Sequence, residues 1–273
     1  NWEDAAYKTD IAIHLNWPSS QVSANPFGPS ADIQRERTQK AMSDLESYFS
    51  QSQAYAQMSK PEVNNTRFSA MKGLFNGSKK LFVDVESAKD IIASVKFFKQ
   101  FGIKPVIVGA TEAQLVSAFL KDNDISIILH ETHSLPDRTE DDVNLPYKQA
   151  KMLQDAGVNF AISIAGYWQQ RNLPFMAGTS AAFGLDKEQA LASITLNTAK
   201  ILGIDKTTGS LEVGKDATLF VSNGDALDMI GNDVERAYIR GKNLDLDNLH
   251  KQLFKRYTEK YESEKIKPAL TNQ

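Results

Sequence analysis

The chain has 273 residues, enough to bury a large core in one domain or two. Its 31 basic and 34 acidic residues leave a net charge of −3, which gives no electrostatic footprint for nucleic acid. It has no cysteine, which excludes disulfides and thiolate metal sites, and only four histidines (His14, His130, His133 and His250) from which to build an imidazole site.

No apolar run reaches membrane-spanning length, and the opening Asn1-Trp2-Glu3-Asp4 is polar, without a signal-peptide pattern. Residues 1–30 hold one strand-like run, Ile11–Leu15, and then a surface loop rich in proline. Residues 31–58 read as a helix capped by Ser30 or Asp32, with Ile33, Met42, Leu45 and Phe49 near helical spacing and a charged outer face.

From about residue 66 the rhythm changes. Apolar strands at 81–85, 105–108, 125–129 and 159–164 alternate with helices at 88–101, 112–121, 146–156 and 173–183. Gly102 and Gly157 sit where helices hand over to the next strand. This alternation predicts parallel βαβ units with right-handed crossovers. Further on, a helix presenting Ile194, Ile201 and Leu202 on one face is expected to stop at Gly203, with Asn197 as an N-cap for its last turns. Ala217–Val221 reads as a buried strand, Arg236–Arg240 as another, and residues 246–262 as a terminal amphipathic helix with Leu249, Leu253 and Tyr257 on one stripe.

The stretch Thr195–Asp225, TLNTAKILGIDKTTGSLEVGKDATLFVSNGD, carries the strongest signal. Its order of helix, glycine turns and strand resembles the C-terminal signature of the amidohydrolase superfamily. The segments VDVESA (83–88) and QRNLPFMAGTSAAFGL (170–185) are similar to the subgroup around imidazolonepropionase. The resemblance covers about residues 66–245 and implies a (β/α)₈ TIM-like barrel with a small β-sandwich domain, and metal-dependent hydrolysis of amide or dipeptide C–N bonds.

Only about four βα units can be counted, so the expected fold is α/β: the C-terminal part of a barrel plus the remnant of the β-sandwich. The expected organisation is an N-terminal loop and helix over 1–65, barrel over 66–208, small-domain strands over 209–245, and a helix and tail over 246–273. The chain then reads as part of a longer protein lacking its N-terminal portion. The rival is a homo-oligomer that covers its own open sheet edges. On the resemblance alone, a periplasmic or secreted home is expected, with the cytoplasm left open.

Parallel barrels carry their chemistry at the C-terminal ends of the strands. There the resemblance implies metal ligands that this chain replaces. Asp84 and Glu86 stand where histidines are usual, Gly109 where a histidine precedes G-T, and Ala165 where an aspartate binds metal and serves as base. Glycine and alanine side chains offer no donor, so no cofactor is expected in this chain, with zinc as the alternative. The expected protein is catalytically degenerate.

Several residues leave other readings open. Asp84 and Glu86 share a strand face and could do acid–base work, or could simply accept a lysine or backbone donors. His130 and His133 could be hydrogen-bonded residues of a polar loop, or one of them could join Asp84 and Glu86 around a shifted metal. Arg171 could grip a substrate carboxylate, or one at the rim of the fold. The loop 135–146, acidic through Asp137, Glu140, Asp141 and Asp142 with Glu131 just before it, is long enough to act as a lid; it lacks calcium-loop spacing and reads as solvated. A small-molecule ligand is the expected partner, in a hydrolase, a ligand-binding subunit beside an active paralogue, or a structural subunit with a closed mouth.

Overall fold

The computed structural model describes residues 6–25, 27–60 and 63–270. The polar opening Asn1–Asp4 and Pro26 of the proline-rich loop lie outside them. The chain divides into two compact units, Asn1–Val213 and Gly214–Gln273.

The first unit is built on a parallel five-stranded sheet in sequential order: β1 (Ala12–Asn16), β2 (Lys80–Val85), β3 (Pro105–Gly109), β4 (Ile127–Leu129) and β5 (Phe160–Ile162). The early strand-like run thus joins the same sheet as the later four, with Ala12 opposite Lys80 and Asn16 opposite Asp84. Four βα units follow: β2 leads into α3 (Ala88–Gln100), β3 into a 3₁₀ turn and the short α4 (Ser117–Asp122), β4 into α5 (Leu145–Asp155), and β5 into α6 (Leu173–Ala182). The helix expected over 112–121 is divided, since Ala113–Val116 is a 3₁₀ turn and only Ser117–Asp122 is α-helical.

Strand alternation sorts the sheet's two faces. Phe82, Val106 and Ala161 point one way and pack with Ile201 of α8 (Leu196–Leu202). Leu81, Val83 and Val85 alternate to the other face, and with Ile107, Ile127 and α3's Ile91, Val95 and Phe98 they are buried.

The long helix α1 (Ala31–Gln57) starts at Ser30, whose Oγ accepts from the Ile33 amide, so Ser30 rather than Asp32 is the cap. Its Phe49 is buried and meets Phe97, Phe98 and Phe101 at ring-centroid distances of 5.2–6.3 Å. This aromatic cluster, completed by Trp17, fastens α1 to α3. A further helix, α2 (Thr66–Phe75), lies where sequence marked only a change of rhythm. Asn65 caps it by accepting from the amides of Arg67 and Phe68.

Near the end of this unit the structure corrects two expectations and bears out a third. Ile194 does not share a helix with Ile201, because α7 (Lys187–Ser193) closes at Ile194 and Thr195, at φ −130° and ψ −92°, breaks the chain before α8. Asn197 is not a cap; it lies within α8 and donates through its side-chain amide to the Phe160 carbonyl, tying that helix to β5. Gly203 does close α8 in the left-handed conformation, at φ 70°.

The second unit holds an antiparallel sheet of β6 (Leu219–Ser222), β7 (Val234–Ile239) and β8 (Lys242–Asn243), followed by α9 (Leu249–Leu270). The strand expected to be buried is not: Phe220 and Val221 of β6 are about half exposed, because three short strands cannot cover both of their own faces. Leu249 and Tyr257 of α9 are likewise exposed.

Candidate functional site

The site forms where β2, β3, β4 and β5 end. Along β2 the side chains of Phe82, Asp84 and Glu86 follow one another on a single face, as the two-residue period requires. Glu86 lies just past the strand, and Ser87 then caps α3 by accepting from the Asp90 amide. This abrupt turn fixes the Glu86 backbone.

At the end of β3 two successive residues take positive φ, Gly109 at 87° and Ala110 at 56°. The second is strained for a residue with a Cβ. The turn is held from three sides. The Ala110 amide donates to the Val85 carbonyl. The Gln149 side-chain amide, buried on α5, donates to the carbonyls of Ala110 and Thr111 at 2.8 and 3.0 Å and to Gln114 Oε1 at 2.9 Å. The Thr111 amide, redirected by the turn, donates to Glu86 Oε2 at 3.0 Å. Gln149→Leu is expected to destabilise the protein by about 1–3 kcal/mol in urea unfolding, because it removes the side-chain donor to the Thr111 carbonyl and leaves the Ala110 carbonyl only its bond from the Ala113 amide.

Gly109 matters for a second reason. A Cβ there would stand 2.3 Å from Glu86 Oε1, so the carboxylate occupies the space that a side chain on β3 would need. Across that gap, from the end of β4, His130 places Nε2 3.5 Å from Glu86 Oε1 and 4.0 Å from Asp84 Oδ2. The ligand-capable atoms of Asp84, Glu86 and His130 all lie within 4.8 Å of one another, and the three residues remain half-hydrated. A second carboxylate is anchored in the same manner two strands further on, where the Ala165 amide after β5 donates to Glu131 Oε1 at 3.1 Å.

Beside this group opens a cleft of about 400 Å³, with Leu129, Leu135 and Leu145 among its apolar walls. Its loop side is tied down by Arg138, which pairs with Glu112, while the other Glu112 oxygen accepts from the Ala88 amide at the start of α3.

Of the residues singled out from sequence, the fold therefore assembles Asp84, Glu86 and His130. It leaves His133 apart, hydrogen-bonded to Thr179 of α6 at 2.7 Å. It also leaves Arg171 on an exposed 3₁₀ turn, outside the cleft lining. In the acidic loop, Asp142 pairs with Lys148 and accepts from the Asn144 amide, which together hold its carboxyl below the usual carboxylate range. Glu112, Arg138 and Gln149 were not foreseen. Their partners are 24 to 39 residues away, beyond the reach of any local pattern.

The amidohydrolase family model matches residues 67–248, two thirds of the chain. The chain belongs to the amidohydrolase family. Among solved structures, an amidohydrolase from Thermotoga maritima MSB8 superposes with a TM-score of 0.72 at 23% identity, over 89% of this chain and 64% of that one. A prolidase complexed with N-methylphosphonate-L-proline gives a TM-score of 0.50 at 15% identity, over 65% of this chain and 48% of that one. A 5-methylthioadenosine/S-adenosylhomocysteine deaminase of Moorella thermoacetica is 39% identical over 82 residues, 26% of this chain and 19% of the deaminase. This amidohydrolase chain thus spans less than two thirds of each relative. The comparisons establish the family and not a subgroup within it.

The metal that the family implies can be tested against the residues present. Of the positions where the resemblance implies ligands, Gly109 and Ala165 carry no side-chain donor, the space beside Gly109 is taken by Glu86, the Ala165 amide donates to Glu131, and Asp84 does offer a carboxylate. At a displaced position the donors do fit. A zinc ion about 2.0–2.2 Å from each ligand sets tetrahedral donors about 3.3–3.6 Å apart. His130 and Glu86 already meet that spacing at 3.5 Å, and Asp84 Oδ2 stands somewhat outside it, 4.0 Å from His130 Nε2.

Proposed function

We propose that this chain is an amidohydrolase-family domain whose inherited hydrolytic centre has been dismantled, and that its strand-end cleft binds a small molecule without hydrolysing it. The observation that supports this reading is the placement of a carboxylate at each of two strand ends where the resemblance implies a metal ligand. Glu86 fills the space above Gly109, and Glu131 is bonded to the backbone at Ala165. A metallohydrolase needs a bound water and a base to deprotonate it. An alanine side chain supplies no base at the position where the resemblance implies an aspartate. The cleft supports binding over a purely structural role, because about 400 Å³ lies within the range of small-molecule sites and its mouth is not packed shut.

A second reading, a working metallohydrolase completed by histidines from elsewhere in the protein, is favoured by the grouping of Asp84, Glu86 and His130. The two separate in one assay. Protein expressed from the full gene is offered amide, dipeptide and cyclic-amide panels with and without added zinc. The expected result is no turnover that a chelator abolishes. Chelator-sensitive hydrolysis would overturn the binding reading in favour of the second.

A further inference from the structure

We propose that Asp84, Glu86 and His130 form a divalent-cation site displaced from the family's own, with β4 supplying the imidazole that β3 no longer carries. The argument starts from strand spacing. Strands β2 and β4 are not neighbours; β3 runs between them, so their ends stand about 9–10 Å apart. Side chains from the two can meet only if β3 ends without one. Gly109 provides that opening, and Glu86 leans into it far enough that Oε1 reaches to 3.5 Å from His130.

The donors are also presented rather than merely close. The Thr111 amide takes Glu86 Oε2, which fixes the carboxylate plane and leaves Oε1 facing the imidazole. Outer hydrogen bonds of this kind orient metal ligands and raise their affinity. Asp84 arrives on the same face of β2 by the strand period.

Charge points the same way. Two carboxylates confront one imidazole, so the group is left negative whether or not His130 is protonated. The nearby cation Arg138 is spent on Glu112. A half-hydrated ion pair is worth little by itself, so the pairing of His130 with two acids does not explain the arrangement energetically. One nitrogen and two oxygen donors suit zinc and similar transition ions in preference to magnesium or calcium.

The test is isothermal titration of zinc into the untagged protein expressed from its full gene, after chelator stripping, with elemental analysis of the dialysed complex. The expected result is saturable binding that His130→Gln and Glu86→Gln each weaken by at least about tenfold, the lower end of what loss even of an outer-shell partner costs. His133→Gln, whose native side chain is engaged with Thr179, leaves binding unchanged, and excess magnesium does not displace the zinc. Asp84→Asn, on a half-exposed side chain, serves as a further variant, and circular dichroism checks that each variant is folded. No saturable binding, or binding indifferent to His130→Gln, overturns the proposal. The result is independent of the hydrolysis assay: zinc held at these residues without turnover supports both readings, whereas zinc-dependent turnover sinks only the binding function.

Discussion

Gly109→Ala is expected to destabilise the protein by about 2–4 kcal/mol, a large effect for one added methyl group. Two costs combine. A non-glycine residue at φ 87° is strained by about 1–3 kcal/mol. The new Cβ would also stand 2.3 Å from Glu86 Oε1, so the carboxylate must move and the bond from the Thr111 amide is lost or bent. The second cost disappears if Glu86 is already alanine. In a double-mutant cycle the Gly109→Ala penalty is therefore expected to shrink in the Glu86→Ala background, leaving the backbone strain alone. Urea unfolding of the four proteins reads this directly. A Gly109→Ala penalty that is the same in the parent and in the Glu86→Ala background would show that Glu86 does not fill the space above β3.

The second large effect lies in the core that positions the site. Phe98→Ala is expected to cost about 3–5 kcal/mol, the usual range for emptying a buried aromatic position. Phe98 is fully buried on α3, with Phe97, Phe49 and Trp17 rings at 5.0, 5.2 and 5.9 Å. Its loss removes a contact shared by α1, α3 and the segment after β1, so no single neighbour can relax into the gap. Phe254→Ala on α9, three-quarters exposed, is the matched control and should stay within about 0.5 kcal/mol of the parent. Equal effects of the two substitutions in guanidinium unfolding would contradict the core described above.

These expectations show unequally in the sequence. The strands at 80–85 and 105–109 and the helices at 88–100 and 145–155 fall within one or two residues of where alternation and periodicity place them, because those signals are written in consecutive residues. The shared face of Asp84 and Glu86 was legible for the same reason. The split at Thr195 was not. A helical stripe continues through Ile194 and Ile201 in one dimension, and only the packing of α8 against β5, including the Asn197 bond to Phe160, shows that the chain turns between them. Nor could the exposure of Phe220 and Val221 be read, since an apolar run states that burial is wanted and not whether a partner surface is present.

The candidate site divides along the same line. Sequence by itself determined the family, the strand-end location of Asp84, Glu86, Gly109 and Ala165, and the lack of side-chain donors at the last two. It left His130 and His133 as equivalent candidates. Tertiary structure decided between them: the end of β4 carries His130 over the vacant Gly109 to Glu86, while the next turn sends His133 to Thr179. The physical reason is reach. A side chain's face is set by its own backbone and can be read locally, but which faces meet across an intervening strand depends on the register of that strand and on the absence of a Cβ at its end.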